Sequence, residues 1–490
     1  MRRHTKPLSV ALLVGSLLAL ARPVAAHVGG LTNTTVSSPV PTWLTVLTGG
    51  AVVGVSFLLT SIVTDHDLIR GVITARISIP APSTVRTAGR RLLQFLGVAA
   101  LAFVVVAGLL GPSTPTANAA ILLVWAGWWA GFTMTTYVVG NTWPAVDPVR
   151  TIASPFPTDG LYEYPDHFGA WPSVVGLLAL VYFEVVTPVA SAPTFLAIVV
   201  VTYVVIGLAG SVLFGRDTWF GTVDPVARVF RVYGRFAPIQ RTEDGLALRL
   251  PGHALVDDAR EHPVATGESV STAAANEPGQ TAFVVTLLWV TTYDGLVATP
   301  LWEQLATPIV TTLEAPLSGT PASFLLALNV VPLALYLAGI LVGFALFLGL
   351  YRAATRWGRR TADTYVDEAF ITDWFAPALV PIAAGYHLAH FVGYFLTLSP
   401  ALLAVLASPL AEPATLEVVV LPTWWGSIQL LFVLVGHLIA VWVAHALAFE
   451  LLPGILTPLR SQYPLVLAMV VFTMTSAWIV TQPFGAPPFV

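Results

Sequence analysis

The chain has 490 residues, of which 56% are hydrophobic and only 10% charged, and its formal net charge is −4. Soluble domains carry roughly 25% charged residues, so most of the surface of this protein must face lipid rather than water. Because the chain has no cysteine, disulfides, thiolate metal ligands and cysteine nucleophiles are excluded. Imidazole, carboxylate, hydroxyl and backbone groups remain for any chemistry. The sequence has no basic segment with interleaved aromatic residues, so it does not indicate nucleic acid as a partner.

Residues 1–26 have the pattern of a secretory signal peptide. A short basic start is followed by an apolar core over residues 8–20 and by small residues at 24–26, where cleavage is expected. Cleavage would make His27 the new N-terminus, and the alternative is a signal anchor that is not removed. The remaining residues, 27–490, are predicted to form a single membrane domain.

Ten further apolar runs reach the length of about 20 residues that a helix needs to cross a bilayer. These predicted spans lie near residues 42–64, 92–112, 118–140, 171–188, 194–214, 281–299, 323–350, 374–398, 424–451 and 464–481. Arginine follows every odd-numbered span, whereas the loops on the opposite side have neither arginine nor lysine. This sidedness places both termini outside the cell membrane and the loop 215–280 in the cytoplasm. The predicted fold class is therefore all-α: a polytopic integral membrane helical bundle of about ten spans after a signal peptide.

A weak internal repeat follows the third and fifth spans. Residues 142–149 and 218–226 both begin with Thr-Trp and end with Val-Asp-Pro-Val, which makes Asp147 and Asp224 N-caps and places proline at the first helical position. After Asp224, apolar residues recur at helical spacing with arginines between them, so this segment is predicted to be an amphipathic helix on the inner membrane surface. The polar residues 240–280 that follow are predicted to be a flexible loop.

Four of the ten histidines lie inside the eighth and ninth predicted spans. His387 and His390 are three residues apart and share one helical face, and His437 lies at about the depth of His387 on the next span. Since one outer loop joins these spans, antiparallel packing is expected to bring the three imidazoles together near mid-membrane. His445 lies about 12 Å deeper along its helix and would extend the site. An ionisable group in hydrocarbon is costly unless it meets a cavity, a partner or a metal, so the cluster indicates a functional site.

Three imidazoles suit zinc, copper or iron, and a three-histidine zinc site with an open position activates water. The predicted transition-metal ligands are His387, His390, His437 and His445. In the sixth span, Asp294 would act as the catalytic base, or it would cap a helix break at Gly295. Haem is the competing cofactor, because His387 and His437 lie at matching depth on different helices. The other possibility is that each histidine hydrogen-bonds a neighbouring hydroxyl or carbonyl group and packs helices together.

Six short segments, spread over most of the chain, carry a resemblance to known proteins. They are Ala26–Gly30, Gly140–Trp143, Thr291–Gly295, Gly436–His437, Ala444–His445 and Ser461–Gln462. In these segments the chain resembles a family of polytopic membrane proteins of actinobacteria and halophilic archaea, some of which are named fenitrothion hydrolase. The resemblance implies hydrolysis of organophosphorus esters. The chain departs from the family at Ala446, where relatives have an acidic residue after the second histidine of the ninth span.

Three classes of function follow from these patterns, each with the lipid bilayer as its surroundings. The first is hydrolysis of a small-molecule substrate, in which a metal held by the histidines lowers the pKa of bound water and Asp294 accepts its proton. The second is a transporter or channel in which the histidines line a path for a proton, an ion or a small solute. The third is a haem-binding electron carrier.

Overall fold

The structure of the protein is a computed structural model. It describes residues 41–80, 82–242, 245–260, 277–422, 424–483 and 485–490. The predicted signal peptide 1–26 and the new N-terminus at His27 lie outside the described residues, as does a large part of the predicted loop 240–280. The described part of the chain is mainly helical, with only three short strands, which confirms the all-α class.

Ten apolar helices form the body of the described fold. In chain order they are α1 (Thr42–Thr60), α2 (Ser83–Leu110), α3 (Ala119–Val139), α4 (Trp171–Val186), α5 (Pro193–Phe214), α6 (Gln280–Val297), α7 (Val330–Ala362), α8 (Val380–Ala407), α9 (Trp425–Leu451) and α10 (Leu456–Val480). Shorter helices connect them at His66–Thr74, Trp143–Val146, Pro148–Ile152, Arg216–Thr218, Pro225–Gly234, Ala254–Arg260, Pro300–Glu314, Phe324–Ala327 and Glu368–Phe375. Single 3₁₀ turns lie at Pro115–Ala117, Asp166–Phe168, Pro188–Ala190, Ala315–Leu317, Pro321–Ser323 and Ala376–Leu379. Two segments are wound as π-helix, Leu123–Phe132 in the middle of α3 and Trp219–Val223.

Among the described residues, eight helices are long and apolar enough to cross a membrane, and a ninth crossing results if one bent pair counts as a single span. The pair is α6 and the following segment Pro300–Leu317, which meet at 77°. The chain turns there because Thr299 caps the second helix and Pro300 begins it. α4 has only 16 residues, since Thr187, which precedes Pro188, takes extended backbone angles. The multi-pass architecture is confirmed, whereas ten spans require both the bent pair and α4 to cross.

The helices that carry the predicted site lie in the interior of the bundle. In the most apolar stretch of Glu368–Ala407, which contains α8, 50% of the residues are buried, and in that of α9 56% are, against 22% in α2 and α7. α8 and α9 are in direct backbone contact, because a β-carbon at Gly436 would lie 2.5 Å from the carbonyl oxygen of Pro381 and one at Gly385 would lie 2.9 Å from Gly436 Cα. Small residues allow such close packing between membrane helices.

Three short strands form an antiparallel sheet that the sequence did not predict. They are β1 (Ile77–Pro80), β2 (Ile239–Arg241) and β3 (Gly245–Leu248), in the order β1-β3-β2. Ile77 and Ile239 both pair with Leu248, one on each side of β3. The beginning of the predicted flexible loop is therefore ordered, because β3 pairs with a segment that precedes α2.

The Pro225–Gly234 helix forms as predicted, but protein rather than lipid or water covers it. Phe230 and Tyr233 are buried on its apolar face, and Arg228 on its basic face is only 3% exposed. The guanidinium of Arg228 donates a hydrogen bond to the Thr222 carbonyl oxygen at 3.1 Å and forms an ion pair with Glu277. Both faces of the helix therefore have partners within the fold, and its location at the inner membrane surface stays a prediction.

Candidate functional site

A polar contact joins α6 and α8 in the interior of the bundle. Oδ2 of Asp294 lies 3.2 Å from Nε2 of His390, and the two side chains are only 12% and 13% exposed. At such low exposure, the interaction between two charges is screened much less than in bulk water. The structure thus brings together the predicted catalytic carboxylate and one of the four predicted histidine ligands.

Gly295 allows α6 to approach α8 at this level. A β-carbon at this position would lie 2.6 Å from the hydroxyl oxygen of Tyr386 and 2.8 Å from Cγ2 of Ile479, so a larger residue would not fit. α6 continues without interruption through Gly295 to Val297. Asp294 therefore does not cap a helix break, and the glycine serves a close helix contact one residue away from the carboxylate.

A cavity of about 500 Å³ lies among the helices and has Asp294 in its wall. Most of the lining residues are apolar and come from α2, α3, α4, α5, α6 and the Pro225–Gly234 helix. The aromatic lining residues are Trp125, Trp128, Trp129, Phe132, Trp143, Phe183, Tyr203 and Phe391. The π-helical part of α3 supplies four of them. Long π-helical segments are rare and are frequently associated with functional sites.

A second carboxylate in the cavity wall, Glu184 of α4, was not singled out by the sequence analysis. Glu184 and Asp294 therefore line the same cavity, and both act electrostatically on the phenols of Tyr293 and Tyr394. The signal for Glu184 was present in the sequence, because it is the one acidic residue of the predicted span 171–188. Intramembrane carboxylates are functional candidates by default.

His387 occupies an aromatic box next to the cavity. Its ring centroid lies 4.5 Å from that of Phe391, 5.7 Å from that of Tyr137 and 5.9 Å from those of Trp129 and Tyr233. The side chain is fully buried, and neither ring nitrogen has a hydrogen-bond partner among the described residues. A buried polar group without a partner costs about 1–3 kcal/mol, so His387 is an unusual feature of this interior.

The two histidines of α9 have other surroundings. Nδ1 of His437 bonds the Val433 carbonyl oxygen of its own helix at 2.8 Å, while its buried Nε2 has no partner in the described part of the chain. Nδ1 of His445 lies 3.2 Å from Oε1 of Gln462, and its Nε2 lies 2.8 Å from the Val63 carbonyl oxygen. His445 therefore connects α9 to α10 and to the chain just after α1, and both of its ring nitrogens are engaged.

Within the described ranges, no group of three or more histidine, aspartate or glutamate side chains is placed to hold a metal ion. The expected convergence of His387, His390 and His437 in one ligand set is therefore not formed, and His445 is used for helix packing. Of the four predicted ligands, His387 and His437 each have a buried ring nitrogen without a partner in the described part of the chain. A metal or haem bound to these histidines stays a prediction.

Helix geometry explains why equal depth did not bring the histidines together. α8 touches α9 through Gly385 and Gly436, so this side of α8 faces α9. Since successive residues advance by about 100°, His387 lies about 200° and His390 about 140° around the helix from Gly385. Both imidazoles therefore face away from α9, His387 towards α3 and the Pro225–Gly234 helix, and His390 towards α6.

The two repeated Asp-Pro motifs lie against one end of the cavity. Asp147 accepts hydrogen bonds from the amides of Val149 and Arg150 at 2.9 and 3.1 Å, and Asp224 caps its helix in the same way, which confirms both predicted N-caps. The Tyr203 hydroxyl donates to Oδ1 of Asp224 at 2.6 Å. Burial raises the pKa of Asp147 to about 7, and the nearby negative charge of Asp224 adds to this effect. The carboxylates of the two repeated motifs, Asp147 and Asp224, therefore interact electrostatically.

Fold and site together define a multi-pass membrane protein with a cavity that contains carboxylates. No protein-family model, no curated protein and no solved structure matches the chain at a significant level. The resemblance to the group that includes fenitrothion hydrolase therefore stays a prediction.

Proposed function

We propose that this protein is a proton-coupled membrane transporter, with the cavity as its solute site and the contact between Asp294 and His390 as its proton-binding site. The observation that carries the proposal is this contact, which places a carboxylate and an imidazole beside a largely apolar cavity among membrane-spanning helices. Ionisable side chains inside membranes are costly, pair with one another, and mark substrate paths and proton relays.

A proton changes the strength of the contact between α6 and α8. When Asp294 is ionised and His390 is protonated, opposite charges attract across 3.2 Å. A proton added to Asp294 or lost from His390 removes one of these charges. Because water is largely excluded and screens the charges little, the attraction that is lost is substantial. Asp294 lines the cavity, so a solute bound there acts directly on its affinity for protons. Linkage makes the effect reciprocal, and protonation of Asp294 alters the affinity for the solute.

The proposal is tested by measuring whether a solute drives proton movement across a membrane that contains the protein. Proteoliposomes with a trapped pH-sensitive dye receive one of three aromatic probes that differ in charge: tetraphenylphosphonium, neutral triphenylphosphine oxide or tetraphenylborate. We expect at least one probe to change the internal pH in wild-type vesicles but not in protein-free vesicles. Asp294→Asn and His390→Gln should abolish the response. Glu303→Gln, on the exposed face of the Pro300–Glu314 helix, should retain it.

A failure of all three probes to move protons in a protein-dependent manner would remove the proposed coupling. The same conclusion would follow from full coupling in both the Asp294→Asn and the His390→Gln variant, since the contact would then have no part in it. Size-exclusion profiles of each purified variant show whether a lost response reflects the loss of a carboxylate or the loss of the fold.

Hydrolysis is the second candidate, because a carboxylate held by a neighbouring imidazole can act as a general base. In that case Asp294, which lines the cavity, would take a proton from the attacking water, His390 would orient its carboxylate, and the apolar cavity would accept a lipophilic ester. The test is release of nitrophenolate from dimethyl 4-nitrophenyl phosphorothioate by the purified protein. Release that is lost in Asp294→Asn supports this reading, and release at the protein-free rate removes it.

The free ring nitrogens of His387 and His437 are the specific observation that favours a bound cofactor. A metal would supply Lewis-acid or redox chemistry, but the described residues provide single imidazoles rather than a three-histidine set. Metal analysis and an optical spectrum of the purified protein decide the question. A Soret band would indicate haem, and a stoichiometric metal lost in His387→Ala would identify that histidine as a ligand.

A further inference from the structure

The walls of the cavity favour a ligand with a large apolar surface. The volume is about 500 Å³, and the lining residues are mainly aliphatic and aromatic. Binding sites of this size normally enclose most of a small molecule and orient it with a few polar groups. Tryptophan faces, here those of the π-helical part of α3, also attract organic cations through their electron-rich surfaces.

The charged groups in these walls have one sign. Among the described residues that line the cavity, the charged side chains are Glu184 and Asp294, and arginine, lysine and histidine do not occur. His390 lies behind Asp294, with Nε2 3.2 Å from its carboxylate. Both of these acids carry negative charge when ionised, and the described lining residues supply no positive charge.

The surroundings of the two carboxylates are consistent with this sign. The phenols of Tyr293 and Tyr394 interact with both carboxylates and add no positive charge. At the end of the cavity lined by Pro148 and Val226, the neighbouring acids are Asp147 and Asp224, with Arg150 beside them. The cavity is therefore a weakly polar space in which negative charge predominates.

We infer that the ligand of this cavity is a lipophilic organic cation. The inference rests on the proposed transport function and names its substrate class. Its positive charge is attracted by the two carboxylates in the wall, and its apolar groups fill the remaining space among the aromatic side chains. A cation bound against Asp294 and Glu184 favours their ionised forms, so binding should weaken as the pH falls far enough to protonate them.

Three aryl compounds that differ in charge separate the contribution of charge to binding from that of apolar contact. Equilibrium dialysis of the purified protein in detergent would measure the dissociation constants of tetraphenylphosphonium, triphenylphosphine oxide and tetraphenylborate against protein-free micelles. We expect the cation to bind at least tenfold more tightly than the anion, with the neutral compound between them. Quenching of tryptophan fluorescence by the bound cation is a second signal, because the cavity is lined by tryptophans.

Two substitutions and one control locate the binding site. Glu184→Gln and Asp294→Asn should each weaken binding of tetraphenylphosphonium at least tenfold and leave binding of triphenylphosphine oxide within twofold. Glu303→Gln, an exposed acid outside the cavity lining, should not change either affinity. Unchanged binding of the neutral probe also shows that a variant has kept its fold.

The inference is overturned if the anion binds as tightly as the cation, or if both carboxylate variants keep wild-type affinity for the cation. Its failure is distinguishable from failure of the transport function. Proton movement driven only by tetraphenylborate or by the neutral compound would retain a transporter and reject the cation. Tight, carboxylate-dependent binding of the cation without any proton movement would retain the ligand class and reject the coupling.

Discussion

Replacement of Asp147 by asparagine should stabilise the protein above neutral pH. The carboxylate is 2% exposed, and its Oδ2 has no hydrogen-bond partner among the described residues. Burial, followed by the charge of Asp224, raises its pKa to about 7. Asparagine caps a helix as well as aspartate does, so the hydrogen bonds to Val149 and Arg150 can be kept without the charge.

The magnitude follows from the difference between the folded and the unfolded pKa. A pKa of about 7 in the folded protein, compared with an ordinary value near 3.9, corresponds to ~4 kcal/mol. Because the folded pKa is the higher one, the wild-type protein is most stable, as far as this group is concerned, below pH ~4. It loses this stability as the pH rises to about 7. The buried amide of asparagine lacks one partner, which costs about 1–3 kcal/mol. The net gain expected at pH 8 is therefore roughly 1–3 kcal/mol.

Thermal melting in detergent, followed by tryptophan fluorescence between pH 4.5 and pH 8, measures this effect. Asp147→Asn should melt at a higher temperature than the wild type at pH 8, and the difference should shrink towards pH 4.5. Asp65→Asn is the matched control, because Asp65 caps the His66–Thr74 helix at an exposed position. It should change the melting temperature little at either pH. A variant at position 147 that melts below the wild type at pH 8 would refute the reasoning, since the ionised carboxylate would then be a net stabilising partner of Arg150.

The same melting assay checks three further predictions. Gly436→Ala should destabilise the protein by about 1–3 kcal/mol, because the new β-carbon would lie 2.5 Å from a carbonyl oxygen of α8. Gly349→Ala on α7, where nothing lies within 4 Å, should be neutral or stabilising. His387→Phe keeps the aromatic contacts and removes two unpaired nitrogens, so the melting temperature should be maintained or rise, and a clear fall would show that these nitrogens bind something. His445→Ala should cost roughly 2–5 kcal/mol, because it empties a fully buried position and removes the ring that donates a hydrogen bond to either Gln462 Oε1 or the Val63 carbonyl oxygen; a loss below 1 kcal/mol would contradict this role.

Composition and periodicity were sufficient to predict the class of fold, its apolar helices and two of its helix N-caps. Apolar runs of sufficient length gave the helices, and the two Asp-Pro motifs gave N-caps that the structure confirms at Asp147 and Asp224. Hydropathy alone could not decide whether α4 and the bent pair cross the membrane. Those outcomes depend on where Pro188 and Pro300 stop or start a helix within an apolar run.

The site was predictable in part, because depth can be read from the sequence but orientation around a helix requires a known neighbour. The sequence identified Asp294 and His390 separately, and the structure joins them. The sequence predicted that His437 lies beside His387 because the two have equal depth. In the structure α8 contacts α9 through Gly385 and Gly436, so His387 faces away from α9. The buried location of Arg228 could not be read from its helix, because the covering partner, Glu277, lies on a later segment.

The shortness of α4 has a consequence for the lipid around it. Its 16 residues span about 24 Å, whereas the hydrocarbon core of a typical bilayer is about 30 Å thick. Placed across a bilayer, such a helix forces the membrane to thin locally or draws the headgroup region inward, at a cost that grows with each ångström of hydrophobic mismatch. Glu184 lies two positions before the end of α4, about 3 Å along the axis. The length of the acyl chains therefore sets how far this carboxylate lies from the headgroups. In membranes of different thickness, the carboxylate of Glu184 would differ in its accessibility to water.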